Sequence, residues 1–531
     1  MTRVMTVTPR NRRFPTILRF RAWRWGAAVL AASLALAACD TGEGVDVDGD
    51  EEGTAGDAPE GGTLIAAIGG EPDQFDPHVT TAHVSFQVLE NVYDTLVAPD
   101  AEGEYQPSLA RDWSTSDDEL TWTFELRDDV TFHDGSDLTA DDVVYSYNRI
   151  IEDELANAYK FSEVDDIEAV AEHTVEITLN QPTPALLDNL GSHKGLAIIP
   201  EGADEDLDLV TEAVGTGPFE LGSPEASGVT ITAYENHWNG SPTLDAVEFR
   251  YISEATTALT SLRAGDIHWT DNIAPQAVED LQGDEEVELG MSPSVDYWYL
   301  ALNQEREPWD EVEARQAIAY GIDREQIVEA AQFGAATINQ TAIPEHNLWH
   351  HEYAPYEHNP DEAASLLESA GVDEGQQLDV MVVQETEGVQ IAQALESQLA
   401  DIGIEVTIEQ EPESTWLDRQ SEGDFDAFMW SWVGNLDPFG FYHAQHVCDG
   451  GLNFQGYCNP DVDELLNEAA GETDQDARKE LYDQAAEMIV DDVSYLYLYN
   501  PDVVQAWVPG LDGYEVRPDR ATEFENVTLP E

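Results

Sequence analysis

An α/β fold of two or more packed units is predicted for this chain, and three observations predict it. Residues 378–430 alternate strand and helix character, the apolar residues of Leu120–Leu126 recur at every second position, and 531 residues is about three and a half times the ~150-residue domain prior. Hydrophobic residues make up 42%, with 13 Trp, 19 Tyr and 16 Phe, which is enough to bury large cores and argues against a mostly disordered chain. The 22 Lys and Arg against 109 Asp and Glu leave a formal charge of −87, a field that repels a phosphate backbone and argues against nucleic acid as a partner. The acids are spread along the chain rather than held in a tail, as on a solvated surface suited to salty, halophilic surroundings. Only three of the cations are lysine: Lys160, Lys194 and Lys479.

Taken in order, residues 1–38 hold seven Arg and no acid and end in the 13-residue apolar run Gly26–Ala38. That run is too short for the ~20 residues of a spanning helix and fits the apolar region of a secretory signal peptide. The run closes on Leu36-Ala-Ala-Cys39, which resembles the lipobox of bacterial lipoproteins, so Cys39 is the expected lipidated first residue of the mature chain. Arg12-Arg13-Phe14 is similar to part of a twin-arginine signal, which leaves the general secretory and twin-arginine routes both open. Without residues 1–38, fifteen cations face 109 acids and the charge is −94. Residues 39–61 are rich in Gly, Asp and Glu with almost nothing to bury, and read as an extended tether between membrane and body.

In the body, Thr63–Ile68 reads as a strand, and Val84, Val88, Leu89, Val92, Tyr93 and Leu96 recur at helical spacing. Alternation in Leu120–Leu126 turns Trp122, Phe124 and Leu126 to one core, and Asp134-Gly135 marks a turn. Thr139-Ala-Asp-Asp142 has the form of a helix-start cap, with Val143, Val144, Tyr147 and Ile151 as the buried stripe that follows. Farther on, 378–384, 389–402, 404–410, 414–422 and 425–430 read strand, helix, strand, helix, strand, with Gly403 and Gly423 just past the helices as left-handed caps. This is the signature of a partly parallel sheet, whose carboxyl edge is where ligands collect.

Most catalytic signatures are absent: no Gly-x-Ser-x-Gly elbow, phosphate loop, His-Glu-x-x-His or Cys-x-x-Cys is present. Gly215-Thr-Gly-Pro-Phe219 lacks the third glycine of a nucleotide fingerprint and reads as a tight turn. His346, His350, His351 and His358 fall in a Pro-rich loop, where solvated histidines are the plainer reading than a metal site. Cys448 and Cys458, ten positions apart in an exported chain, are expected to form a disulfide. Tyr297, Trp298, Trp416, Trp430 and Trp432 fall at strand edges or on the loop after a predicted parallel strand. Trp430-Ser-Trp432-Val-Gly-Asn435-Leu-Asp437 combines ring faces, an amide and a carboxylate in eight residues. That composition suits an enclosed pocket with an apolar wall and few polar anchors.

A set of ordered motifs then carries a resemblance. Leu109-Ala-Arg-Asp-Trp113, Thr121–Arg127, Val130–Gly135 and Thr139–Val143 come first, followed by Gly215–Phe219, Asn236–Gly240, Leu262–Asp266, Arg315–Ile318 and Ile322–Arg324, then Asp426–Pro438 and Gly456–Pro460. In their order and spacing the chain resembles the solute-binding proteins of peptide and nickel ABC importers, family 5, from about residue 62 to its end.

The resemblance implies a periplasmic-binding-protein-like two-lobe clamp, class II and cluster C, with an extra inserted domain. The implied boundaries are lobe I at 62–104, 213–296 and 495–531, the inserted domain at 105–212, and lobe III at 297–494. It further implies no catalysis and no cofactor, a monomer at the outer face of the membrane or in the periplasm, and delivery of the solute to a permease driven by an ATPase. Peptide binders of the family hold the ligand's α-amino group on an acidic residue in the loop that here reads Asn435-Leu-Asp437-Pro438, which makes Asp437 the matching candidate. Dipeptide binders hold the carboxylate with an Arg near the segment that here reads Val383-Gln-Glu-Thr-Glu-Gly388, where none stands, so longer peptides are favoured. Oligosaccharide or nickel-complex capture, and an extracellular hydrolase, are the competing readings.

Overall fold

The computed structural model describes residues 61–100, 103–192, 194–434, 436–448 and 450–530. The leader, Cys39, nearly all of the acidic tether and Asn435 lie outside them. No described helix is long and apolar enough to cross a membrane.

Three large apolar cores organise the described residues. The first forms around the Thr63–Ile68 strand, which runs parallel to Ala246–Tyr251 and to Trp269–Thr270. Leu64, Phe219, Ile231, Phe249, Trp269 and Phe524 fill it. The second lies beneath a four-stranded antiparallel sheet in the order Ala110–Thr115, Thr121–Leu126, Thr174–Leu179, Val164–Ala171. Trp122, Phe124 and Leu126 all turn inward there, as the alternation predicts.

The helix Ala140–Glu152 covers this sheet and starts in a capping box: the Thr139 backbone N–H donates to Asp142 Oδ2 at 2.8 Å. Its buried stripe is Val143, Ser146, Tyr147 and Ile150. The expected Ile151 and Val144 sit half-buried to either side, because steps of three and four residues keep 143, 147 and 150 on one line.

The third core carries the predicted alternation. Gln376–Val383 pairs in parallel with Ile404–Glu411 and with Ala427–Trp432, and the helices Thr386–Ala400 and Glu413–Ser421 cross between them. Gly403 and Gly423 end those helices at φ +87° and +69°, the left-handed region where a side chain is strained. Ala427–Trp432 also pairs antiparallel with Tyr297–Leu302, placing Tyr299 opposite Trp430. The strand Leu496–Trp507 joins the cores. Leu496, Tyr497 and Tyr499 pair with Tyr297–Leu302, while Trp507 and Ala506 pair with Trp269–Thr270. A twelve-stranded sheet thereby runs through the described residues, and the chain changes cores within a single strand at about residue 500.

One element is shorter than its periodicity suggests. The helix predicted through Leu96 ends at Leu89, yet Val92, Tyr93 and Leu96 remain buried. Tertiary partners replace the helical bonds, since the Asn91 and Val92 carbonyls accept from Phe219 and Gly217 at 3.0 Å. That contact explains the Gly215-Thr-Gly-Pro motif. A Cβ on Gly215 would lie 2.1 Å from the Val92 carbonyl oxygen, so the glycines permit two backbones to touch.

Candidate ligand-binding cavity

A cavity of about 450 Å³ opens where the three cores meet, within the range of small-ligand sites. The third core supplies Trp430, Ser431 and Trp432 from the end of the Ala427–Trp432 strand, with Val433, Gly434 and Leu436 after it. The second supplies Tyr105, Asn157, Tyr159, Lys160, Asp188 and Lys194, and the first supplies Glu90, Asp519 and Ala521. Gly434 makes the loop possible. A Cβ there would lie 1.9 Å from the Val295 carbonyl oxygen, and its N–H donates to Asp296 Oδ1 at 3.2 Å.

The predicted aromatic residues divide into a wall and its backing. Trp430 and Trp432 line the cavity. Trp416 stands 5.1 Å and Trp298 6.5 Å from Trp430, ring to ring, and both are buried behind it. Tyr297 is core, with its hydroxyl donating to Gln445 Oε1 at 3.0 Å. Every residue of Tyr297–Leu302 is buried, so this strand offers no face to a cleft.

Asp437 is placed differently from its expected role. Its two carboxylate oxygens accept from the Arg478 guanidinium at 2.6 and 2.8 Å, both side chains are about 95% buried, and Oδ1 also accepts from the Phe439 N–H at 2.9 Å. It does not line the cavity, and its charge is already balanced by a buried cation. Burial works against the Arg478 charge, but Asp437 outweighs it and raises the guanidinium's pKa. The Val383–Gly388 segment lies off the cavity too. Glu385 caps the helix at Gly388 at 3.0 Å, and Tyr499 donates to Glu387 at 2.9 Å.

Three of the four histidines of the 346–358 loop have separate partners, and both ring nitrogens of His346 are buried without a hydrogen bond. His350 Nδ1 meets the Ile343 carbonyl at 2.8 Å, His351 lies 3.0 Å from Glu487, and His358 lies 3.7 Å from Asp323. No group of three or more metal-ligating side chains occurs among the described residues. The Cys448 and Cys458 sulfurs are bonded at 2.08 Å.

No local motif marks the charged groups of the cavity as ligand-binding. Burial pushes the Glu90 carboxyl up to about 8, and its Oε2 accepts from the Thr522 N–H at 2.9 Å. Burial, then the Asp437 charge, pushes Asp188 up to about 6, while the Tyr105 hydroxyl donates to it at 2.6 Å and the Leu436 N–H at 3.3 Å. Burial acts in the same direction on Asp519, but Arg517 at 2.9 Å outweighs it and holds the carboxyl well below the usual range. Lys194 donates to the Asp519 carbonyl at 2.7 Å. A signal for these residues did exist: two of the chain's three lysines line this one cavity.

Residues 104–452 match the family described as bacterial extracellular solute-binding proteins, family 5. The dipeptide-binding protein of Escherichia coli is 26% identical over 508 residues, 88% of this chain and 94% of that protein. Heme-binding protein A of Haemophilus influenzae is 29% identical over 549 residues, 94% of this chain and 98% of that protein. The solved structure of HbpA2 from Haemophilus parasuis superposes with a TM-score of 0.82 at 25% identity, covering 88% of this chain and all of that one.

Proposed function

The chain belongs to the bacterial extracellular solute-binding proteins of family 5, and from that premise we propose that it captures peptides, oligopeptides included, outside the cytoplasm and delivers them to a membrane permease driven by an ATPase. The cavity carries this reading. Its Trp430 and Trp432 faces suit side chains of varied shape, while Glu90, Asp188, Lys160 and Lys194 offer both signs of charge to a zwitterionic chain. The likeness to a dipeptide-binding protein over nearly its whole length supports the same class of solute. Membrane anchoring through lipidated Cys39, with the acidic tether as spacer, completes the proposal. No catalytic step belongs to it.

The test is native mass spectrometry of the purified mature protein to identify any retained solute, followed by calorimetric titration with di-, tri- and tetrapeptides, haem and nickel. Saturable one-to-one binding of peptides supports the proposal. Binding of haem or nickel with no peptide binding overturns it.

A further inference from the structure

The fifteen cationic side chains of the described residues stand among some hundred acids, and fourteen of them have a hydrogen-bond or ion-pair partner. Even the buried ones follow this rule: Arg315 and Arg324, with no carboxylate to pair, donate to backbone carbonyls at 2.6–3.4 Å. Lys160 is the exception. Its ammonium has no hydrogen-bond or ion-pair partner among the described residues, and it lines the cavity beside Asp188 and Lys194.

Its backbone, by contrast, is fixed. The Lys160 N–H donates to the Asn157 carbonyl at 3.1 Å, and its carbonyl accepts from Asn189 Nδ2 at 3.0 Å, in the short helical turn Ala158–Phe161. Burial lowers the ammonium's pKa, with Asp188 acting the other way and Lys194 adding to the fall. A half-buried ammonium that lines the cavity with no hydrogen-bonded carboxylate is free to take its close counter-charge from a ligand.

We propose that Lys160 is the anchor for an anionic group of the ligand, which in the peptide reading on which this identification rests is the C-terminal carboxylate. The chemistry of the surroundings fits a zwitterion rather than a plain anion. A chain of charge −87 repels a net-negative solute at long range, whereas a zwitterion carries no net charge and feels only the local field. Inside the cavity, an N⁺–H···O⁻ bond to Lys160 would be charge-assisted and poorly screened. Lys160 would then take over the role that the arginine-free Val383–Gly388 segment does not perform, from another core of the fold.

The test titrates trialanine and trialanine amide calorimetrically into wild type, Lys160→Met and Lys160→Arg. Wild type should bind the free acid at least tenfold tighter than the amide. Lys160→Met should abolish that preference, weakening the free acid at least tenfold more than the amide, and Lys160→Arg should restore part of it. No acid-over-amide preference in wild type, or equal losses for both peptides in Lys160→Met, overturns the proposal. If wild type binds neither peptide, the peptide reading fails separately, and Lys160 is judged on the solute retained through purification. An anionic solute kept by wild type and lost from Lys160→Met supports the anchor. A solute with no anionic group, equal retention by both proteins, or no retained solute at all overturns it.

Discussion

Removing the Asp437 charge separates two roles that the sequence alone leaves fused. The resemblance points to Asp437 as the site of a ligand ammonium, whereas the structure closes its carboxylate on Arg478 with both side chains about 95% buried. Asp437→Asn keeps the size of the side chain and leaves the guanidinium facing a neutral amide, with only its Nε bond to the Ala469 carbonyl at 3.1 Å and the Trp349 and Tyr482 rings at 5.0 and 5.3 Å. Breaking a buried pair from one side costs about 3–5 kcal/mol. With an unfolding entropy of about 2.1 cal/mol/K per residue, a body of roughly 470 residues melting as one unit loses about 3–5 °C, and a separately melting third core of roughly 200 residues loses about twice that. Scanning calorimetry reads this directly. The double variant Asp437→Leu/Arg478→Met should recover most of the loss, since replacing both partners by apolar groups is often neutral. An Asp437→Asn protein that melts like wild type but binds trialanine a hundredfold more weakly would refute the latch and return Asp437 to the ligand.

Glu90 gives a pH prediction. Its folded pKa, raised to about 8 by burial, lies above its ordinary 4.5, so its contribution is full below about pH 4.5 and is lost as pH rises through 8. Glu90→Gln should therefore match wild type in melting temperature at pH 4 and exceed it at pH 9. Most of the gap should open above pH 6, where Asp188 has already titrated, and equal curves throughout would contradict the burial argument. Salt should raise the melting temperature toward molar concentrations, because the Debye length shrinks to ~3 Å and the carboxylates behind the −94 charge cease to repel one another; a flat or falling curve counts against this. Cys39→Ser should release the protein from membranes in a fractionation assay, and continued retention would show that something other than a lipid on Cys39 holds it.

What could be read from the chain followed locality. Thr63–Ile68, Thr121–Leu126 and the alternation from Gln376 to Trp432 are set by periodicity and by glycines at helix ends, both of which operate over a few residues. The helix drawn through Leu96 was overextended because the partners of Asn91 and Val92 come from Gly217 and Phe219, more than a hundred positions away. The same limit governs the site. Trp430 and Trp432 could be recognised from their clustering on one strand end, but Tyr297, Trp298 and Trp416 carry the same aromatic signal while facing inward. No local pattern shows that Lys160 and Asp188 will stand across from Trp430. Their pairing is tertiary, and the scarcity of lysine marks only Lys160 in advance.

The Arg478 latch and the cavity are mechanically one structure, although Asp437 touches no part of the cavity surface. Asp437 fixes the chain immediately after Leu436, and the Leu436 N–H donates to Asp188, which also accepts from Tyr105. The loop of the third core is thus tied at Asp437 to Arg478 and, one residue earlier, at Leu436 to Asp188 of the second core. Asp188 is in turn the charged neighbour that favours the protonated form of Lys160. Loosening Asp437 should let Leu436 drift from Asp188, changing the field at Lys160 without removing any group that faces the ligand. The effect of Asp437→Asn on binding should then be indirect and modest, similar for trialanine and its N-acetyl derivative. Lys160→Met instead discriminates between acid and amide, so the pattern of discrimination, rather than the size of the loss, separates a positioning residue from an anchor.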